Sequence, residues 1–97
     1  MRFLNKNKTF IIAEAGVNHD GELKKAFELV DIAASCSVDA IKFQTFKPSE
    51  ITTKFNVNVN YVKKNTGDNN YRLLEKLALD YEDFKKIKDY CEKKKIL

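Results

Sequence analysis

Apolar and polar positions alternate with a period of two in Ala40-Ile41-Lys42-Phe43-Gln44-Thr45-Phe46, which predicts a β-strand. Ile41, Phe43 and Thr45 then share one face, and Lys42, Gln44 and Phe46 share the other. A strand covered on both faces is apolar throughout, and a buried lysine without a partner costs on the order of several kcal/mol. Lys42 therefore calls for an anion.

A second such run, Thr9-Phe10-Ile11-Ile12-Ala13-Glu14-Ala15, is apolar except for Glu14 near its C-terminal end. Its parity places Ile12 and Glu14 on one face. Between the two runs, Leu23, Ala26, Phe27, Val30, Ala33 and Ala34 recur at helical spacing, with Lys24, Lys25, Glu28, Asp31 and Ser35 opposite. This predicts a helix over 20–36 with Asp20 as its N-cap and Glu22 in its first turn. The turn before it, Gly16-Val17-Asn18-His19-Asp20-Gly21, is rich in residues that cap helices or accept positive φ.

In a strand-helix-strand unit the crossover is right-handed and the strands are parallel, so both C-terminal ends open on one edge. Ligands of α/β proteins bind at that edge. Glu14 and Lys42 both lie near it. Two readings follow from the residues alone: a site for an anionic ligand, or a structural bridge between Glu14 and Lys42.

From Lys47 to Asn70 the periodicity loosens around the single Pro48, and Phe55-Asn56-Val57-Asn58-Val59-Asn60-Tyr61 alternates weakly before the polar run 65–70. A connection of this length is read as a functional lid. Leu73, Leu74, Leu77 and Ala78 predict a short helix over 71–79. Asp80 then caps a further helix with Phe84, Ile87 and Cys91 on one face, ending near Lys94. Lys93-Lys94-Lys95 suits the negative end of that helix dipole, and Ile96-Leu97 reads as the start of a third strand. The order β, α, β, α and an incipient β is the opening of a parallel barrel or doubly wound sheet.

Composition adds limits. The 97 residues, 43% hydrophobic and 33% charged, make one globular unit with a modest core, and two strands need more strands to cover their edges. The net charge of +4 comes from scattered lysines, with no basic stripe interleaved with aromatics, so nucleic acid is not an expected partner. Cys36 and Cys91 share no metal-ligand or redox spacing and are expected to be free thiols. The basic leader 1–8 is too polar for a signal peptide, and no apolar run is long enough to span a membrane. A cytoplasmic protein with no membrane partner is expected.

Ile11-Ile12-Ala13-Glu14-Ala15-Gly16-Val17-Asn18-His19-Asp20-Gly21, followed by Val38-Asp39-Ala40-Ile41-Lys42-Phe43-Gln44-Thr45-Phe46, resembles the N-terminal signature of the sialic acid synthase family. That family makes N-acetylneuraminate, legionaminate and pseudaminate. The resemblance implies an α/β fold, the N-terminal β-α-β-α portion of a (β/α)8 TIM barrel, over residues 1–97. The rest of the barrel and a C-terminal antifreeze-like domain, which closes over a partner's barrel in the family's homodimers, are expected to be absent.

Family members condense phosphoenolpyruvate with an open-chain N-acetylated hexosamine and release phosphate, using a divalent metal, Mn or Mg. Such chemistry needs cations for a carboxylate and a phosphate, a Lewis acid for the aldehyde, and acid/base groups. By the resemblance, Lys42 is the lysine that contacts phosphoenolpyruvate, and Glu14 is an active-site glutamate for proton transfer or sugar binding. Gln44 belongs to the sugar or metal-water side, and Asn18 and His19 to the motif loop, as substrate-binding candidates. The polar run 65–70 falls where the family contacts the sugar.

The metal-binding histidines and the other phosphate-binding groups have no counterpart in this chain, so no metal ligand is expected in it. Ser37 and Lys95 stand where the family usually has glycine at helix ends. The expectation is a fragment, inactive alone, of such a transferase. The alternative is a small non-catalytic protein that binds a phosphorylated metabolite or a full-length synthase.

Overall fold

The computed structural model describes residues 7–51 and 70–97. Strand β1 (Ile12–Gly16) is followed by helix α1 (Leu23–Ser35), strand β2 (Ala40–Phe43) and helix α2 (Pro48–Ile51). Helices α3 (Asn70–Leu77) and α4 (Tyr81–Lys93) come after. The leader up to residue 6, the weak alternation over 55–61 and the lid and sugar-contact readings over 52–69 lie outside the described residues.

The two strands pair in parallel, as the strand-helix-strand reading requires, with Ile12 opposite Ala40, Ala13 opposite Ile41 and Glu14 opposite Lys42. The ladder then slips, and Gly16 faces Phe43. This irregularity absorbs one residue, so Ala15 is buried while Glu14 stays on the open face. Beyond β2 the backbone continues the pattern: Leu97 N–H donates to Asp39 O at 3.2 Å, and Ile41 N–H donates to Leu97 O at 2.8 Å. Leu97 thus bonds to β2 in the manner of a parallel neighbour, although the sheet among the described residues has two strands and Ile96-Leu97, read from sequence as the start of a third, is not one of them.

Helices α1 and α4 pack side by side on one face of the sheet. Ala26, Val30 and Ala33 of α1 meet Ile87 and Cys91 of α4, with Leu79 and Ile96 completing the buried cluster. Ala13, Ile41 and Phe43 pack against it from the strands. The opposite sheet face carries Ile12, 56% exposed, together with Glu14 and Lys42. Burying this apolar set supplies most of what stabilises the unit, at roughly 25 cal/mol per Å² of apolar surface removed from water.

Several local expectations change. Helix α1 begins at Leu23, not Asp20, and Glu22 occupies its N-cap position without a side-chain capping bond. Asp20 is instead left-handed, with φ of 56°, and its carboxylate accepts from Lys25 Nζ at 3.0 Å. The turn and the cap compete for the same residue, and the turn wins. Strand β2 stops at Phe43, so Phe46 leaves the sheet and lines a cavity of about 270 Å³ with Pro48, Leu79 and Tyr81. Pro48, inside a stretch read as loop, opens α2, which suits proline's fixed φ and missing N–H.

Asp80 behaves as predicted, its Oδ1 accepting from Asp83 N–H at 2.7 Å. At the far end of α4, Ile96 N–H reaches Cys91 O at 3.0 Å and Lys95 N–H reaches Glu92 O at 3.1 Å. This pair of bonds is a Schellman motif, and its apolar contact is between the buried Ile96 and Cys91. Lys95 accordingly has φ of 59°, and Ser37 after α1 has φ of 58°. Both positions at which the family pattern has glycine are left-handed.

Candidate functional site

Parity and register together bring Glu14 and Lys42 face to face at the C-terminal edge of the sheet. Lys42 Nζ lies 3.0 Å from Glu14 Oε2, and the two side chains are 61% and 55% exposed. An ion pair this open to water contributes no more than about 1 kcal/mol. It is therefore easily exchanged for another partner.

Gln44 joins the cluster from just past β2, where its N–H donates to Gly16 O at 3.2 Å. A Cβ placed on Gly16 would lie 3.4 Å from Glu14 Oε1 and 3.8 Å from Gln44 Nε2. The carboxylate and the amide thus flank one point above a bare α-carbon. Sequence reasoning did not single out Gly16, although a glycine directly after the strand's acidic residue was the available signal. Glu14, Lys42, Gln44 and Gly16 form a polar cluster of one carboxylate, one ammonium and one amide, able to hold an anion and a hydroxyl- or amide-bearing group.

Asn18 and His19 stand apart from that cluster. Asn18 is exposed in the turn, with its N–H bonded to Ala15 O at 3.0 Å. His19 is fully buried, its Nδ1 accepting from Gly21 N–H at 2.9 Å. That bond assigns the neutral tautomer with the proton on Nε2, which has no partner among the described residues. The ring lies 6.2 Å from the Phe43 ring. Burial lowers the pKa of His19 below its ordinary 6.5, against the opposing pull of the Asp20 carboxylate. His19 holds the turn through its bond to Gly21.

The two thiols are free, Cys36 exposed and Cys91 buried. Burial pushes the Cys91 thiol up, which makes it a poor nucleophile. Among the described residues no group of three or more His, Cys, Asp or Glu side chains could hold a metal ion. Glu14 stands with Lys42 and Gln44 and not within a group of carboxylates or imidazoles, so the donors among the described residues do not make a metal site. No helix among the described residues is long and apolar enough to cross a membrane.

Comparison with known proteins finds relatives for the sequence and for the fold. The NeuB family profile matches residues 29–97. The chain is 46% identical over 76 residues to the N,N'-diacetyllegionaminic acid synthase of Legionella pneumophila, covering 76% of this chain and 21% of that protein. It is 37% identical over 90 residues to the spore coat polysaccharide biosynthesis protein SpsE of Bacillus subtilis, covering 91% of this chain and 23% of that one. Among solved structures, the N-acetylneuraminic acid synthetase of Leptospira borgpetersenii superposes with a TM-score of 0.69 at 32% identity. That match covers 94% of this chain and 28% of the solved one. The chain spans between a fifth and a quarter of the first two relatives' length.

Proposed function

The chain belongs to the NeuB family, and on that premise we propose that it forms the first part of the (β/α)8 barrel of a nonulosonic acid synthase. The whole enzyme would join phosphoenolpyruvate to an N-acetylated hexosamine and release phosphate. The observation that carries this reading is the cluster of Glu14, Lys42 and Gln44 at the C-terminal edge of a parallel sheet whose strands follow chain order. It joins a cation to a carboxylate and an amide, which matches a substrate pair of one anion and one polyol.

In this reading Lys42 binds an anionic group of phosphoenolpyruvate and neutralises charge that grows on the departing phosphate. The Glu14 carboxylate holds a sugar hydroxyl or takes its proton, and the Gln44 amide fixes the sugar beside it. A divalent metal would supply Lewis acidity at the sugar aldehyde, but the donors described in this chain do not make its site, so no step here passes through it. The open face around Ile12 becomes barrel interior once further strands close the sheet. Homodimer formation, in this reading, belongs to the whole enzyme.

Isolated, the chain is expected to bind substrate weakly and to turn nothing over, because a barrel site gathers residues from several strands. Two measurements test this. Phosphoenolpyruvate added to isotope-labelled protein should shift the side-chain resonances of Lys42 and leave those of Lys88 unmoved. Phosphate release in the presence of N-acetylmannosamine should stay at background. Lys42 resonances that ignore phosphoenolpyruvate would sink the reading.

A further inference from the structure

We infer that Glu14 sets the anion affinity of Lys42 by competing for it, so that an anionic ligand binds by exchange and hands the Glu14 carboxylate over to Gln44. This rests on the reading of Lys42 as an anion site. Three observations carry it.

The first is the register. Glu14 and Lys42 are directly opposed in the ladder, and the Nζ to Oε2 distance is 3.0 Å, so the carboxylate occupies the place an incoming anion needs. The second is charge. The pair sums to zero, and a phosphate or carboxylate arriving beside an intact pair meets the Glu14 anion as well as the lysine; like charges a few ångströms apart repel. The third is the space above Gly16. Glu14 Oε1 and Gln44 Nε2 both border it, at 3.4 Å and 3.8 Å from the point where a Cβ would stand. A carboxylate released from Lys42 therefore has an amide donor on its other side.

Both side chains are more than half exposed, so water and salt screen the pair and the exchange barrier is small. Exchange leaves Lys42 on the ligand and Glu14 ionised, hydrogen-bonded to an amide and available to a second, uncharged ligand. The order of binding follows: anion first, polyol second.

The test uses inorganic phosphate as the probe and nuclear magnetic resonance titration of the full chain, its Glu14→Gln variant and its Lys42→Gln variant. Glu14→Gln should bind phosphate about fivefold more tightly, the factor equivalent to losing a competing pair worth about 1 kcal/mol. Phosphate should also shift the Gln44 side-chain amide in the wild type, and this response should be absent from Glu14→Gln. A role for Glu14 in merely orienting Lys42 makes the opposite prediction, weaker binding in the variant. Phosphate binding that Glu14→Gln leaves unchanged or weakens, while Lys42→Gln abolishes it, overturns the exchange and leaves the anion site standing. Binding that Lys42→Gln does not affect overturns both.

Discussion

The Tyr90 hydroxyl donates to Asp31 Oδ1 at 2.8 Å, across 59 residues of sequence, and so ties α4 to α1 on the outer surface. Lys94 Nζ adds an ion pair to the same oxygen at 3.3 Å, and the Phe27 and Tyr90 rings stack with centroids 4.5 Å apart. The hydroxyl, aided by the lysine, lowers the Asp31 pKa below its ordinary 3.8. The Asp31 carboxylate in turn raises Tyr90 above 10.0, against the opposing pull of Lys94, and raises Lys94 above 10.5.

These shifts fix the sign of a pH effect. The lowered carboxylate contributes stability above pH 3.8 that is lost as pH falls through its folded value. The raised Tyr90 and Lys94 contribute below their ordinary values and lose that contribution as pH rises through the folded ones. Tyr90→Phe, which keeps the ring stack, is expected to melt below the wild type at neutral pH. The two melting curves should converge at both extremes of pH, as thermal denaturation followed by circular dichroism will read.

His19 makes a separate pH prediction. Its pKa is lowered by burial, so the neutral ring is the folded form, and stability is present above pH 6.5 and lost as pH falls through the folded value. The turn over 17–21 is expected to loosen on acidification, seen as a falling protection factor at the Gly21 amide relative to its intrinsic exchange rate. His19→Asn, with no titrating group, should remove that pH dependence.

Of the two glycines among the described residues, Gly21 is the less tolerant of a side chain. A Cβ there would stand 2.0 Å from the Lys76 carbonyl oxygen, and φ is +76°. Gly21→Ala must either push the turn from the end of α3 or strain the backbone, costing about 2 kcal/mol. Urea denaturation of the variant measures this directly.

The left-handed Ser37 and Lys95 run the other way. Each pays for a conformation that glycine enters freely, so Ser37→Gly and Lys95→Gly should each stabilise the chain by about 0.5–1 kcal/mol. Their effects should add, because the two residues close different helices. A double variant no more stable than wild type would rule out relief of backbone strain.

Residue identity made the faces within each strand readable, since period two puts Glu14 with Ile12 and Lys42 with Gln44, while the register that opposes Glu14 to Lys42 came only with the folded sheet. The Asp80 cap was equally legible, because the bond it makes spans three residues. What escaped was set by distant parts of the chain. Asp20 has the chemistry of a cap and serves instead in a turn whose path is fixed by the approach of Gly21 to Lys76. His19 is buried beside Phe43, which no local pattern connects to it. The cluster's weak point in sequence reasoning was Gly16, whose value lies in an atom it lacks.

The bonds from Leu97 to Asp39 and Ile41 set Leu97 on the edge of β2 that β1 leaves open, so among the described residues order in space repeats order in time of synthesis. The second pairing must wait for the whole stretch between Phe43 and Ile96, because Asp39 and Ile41 find their backbone partner only in Leu97, and that long closure sets the pace of growth. Such a sheet can grow on the ribosome one unit at a time.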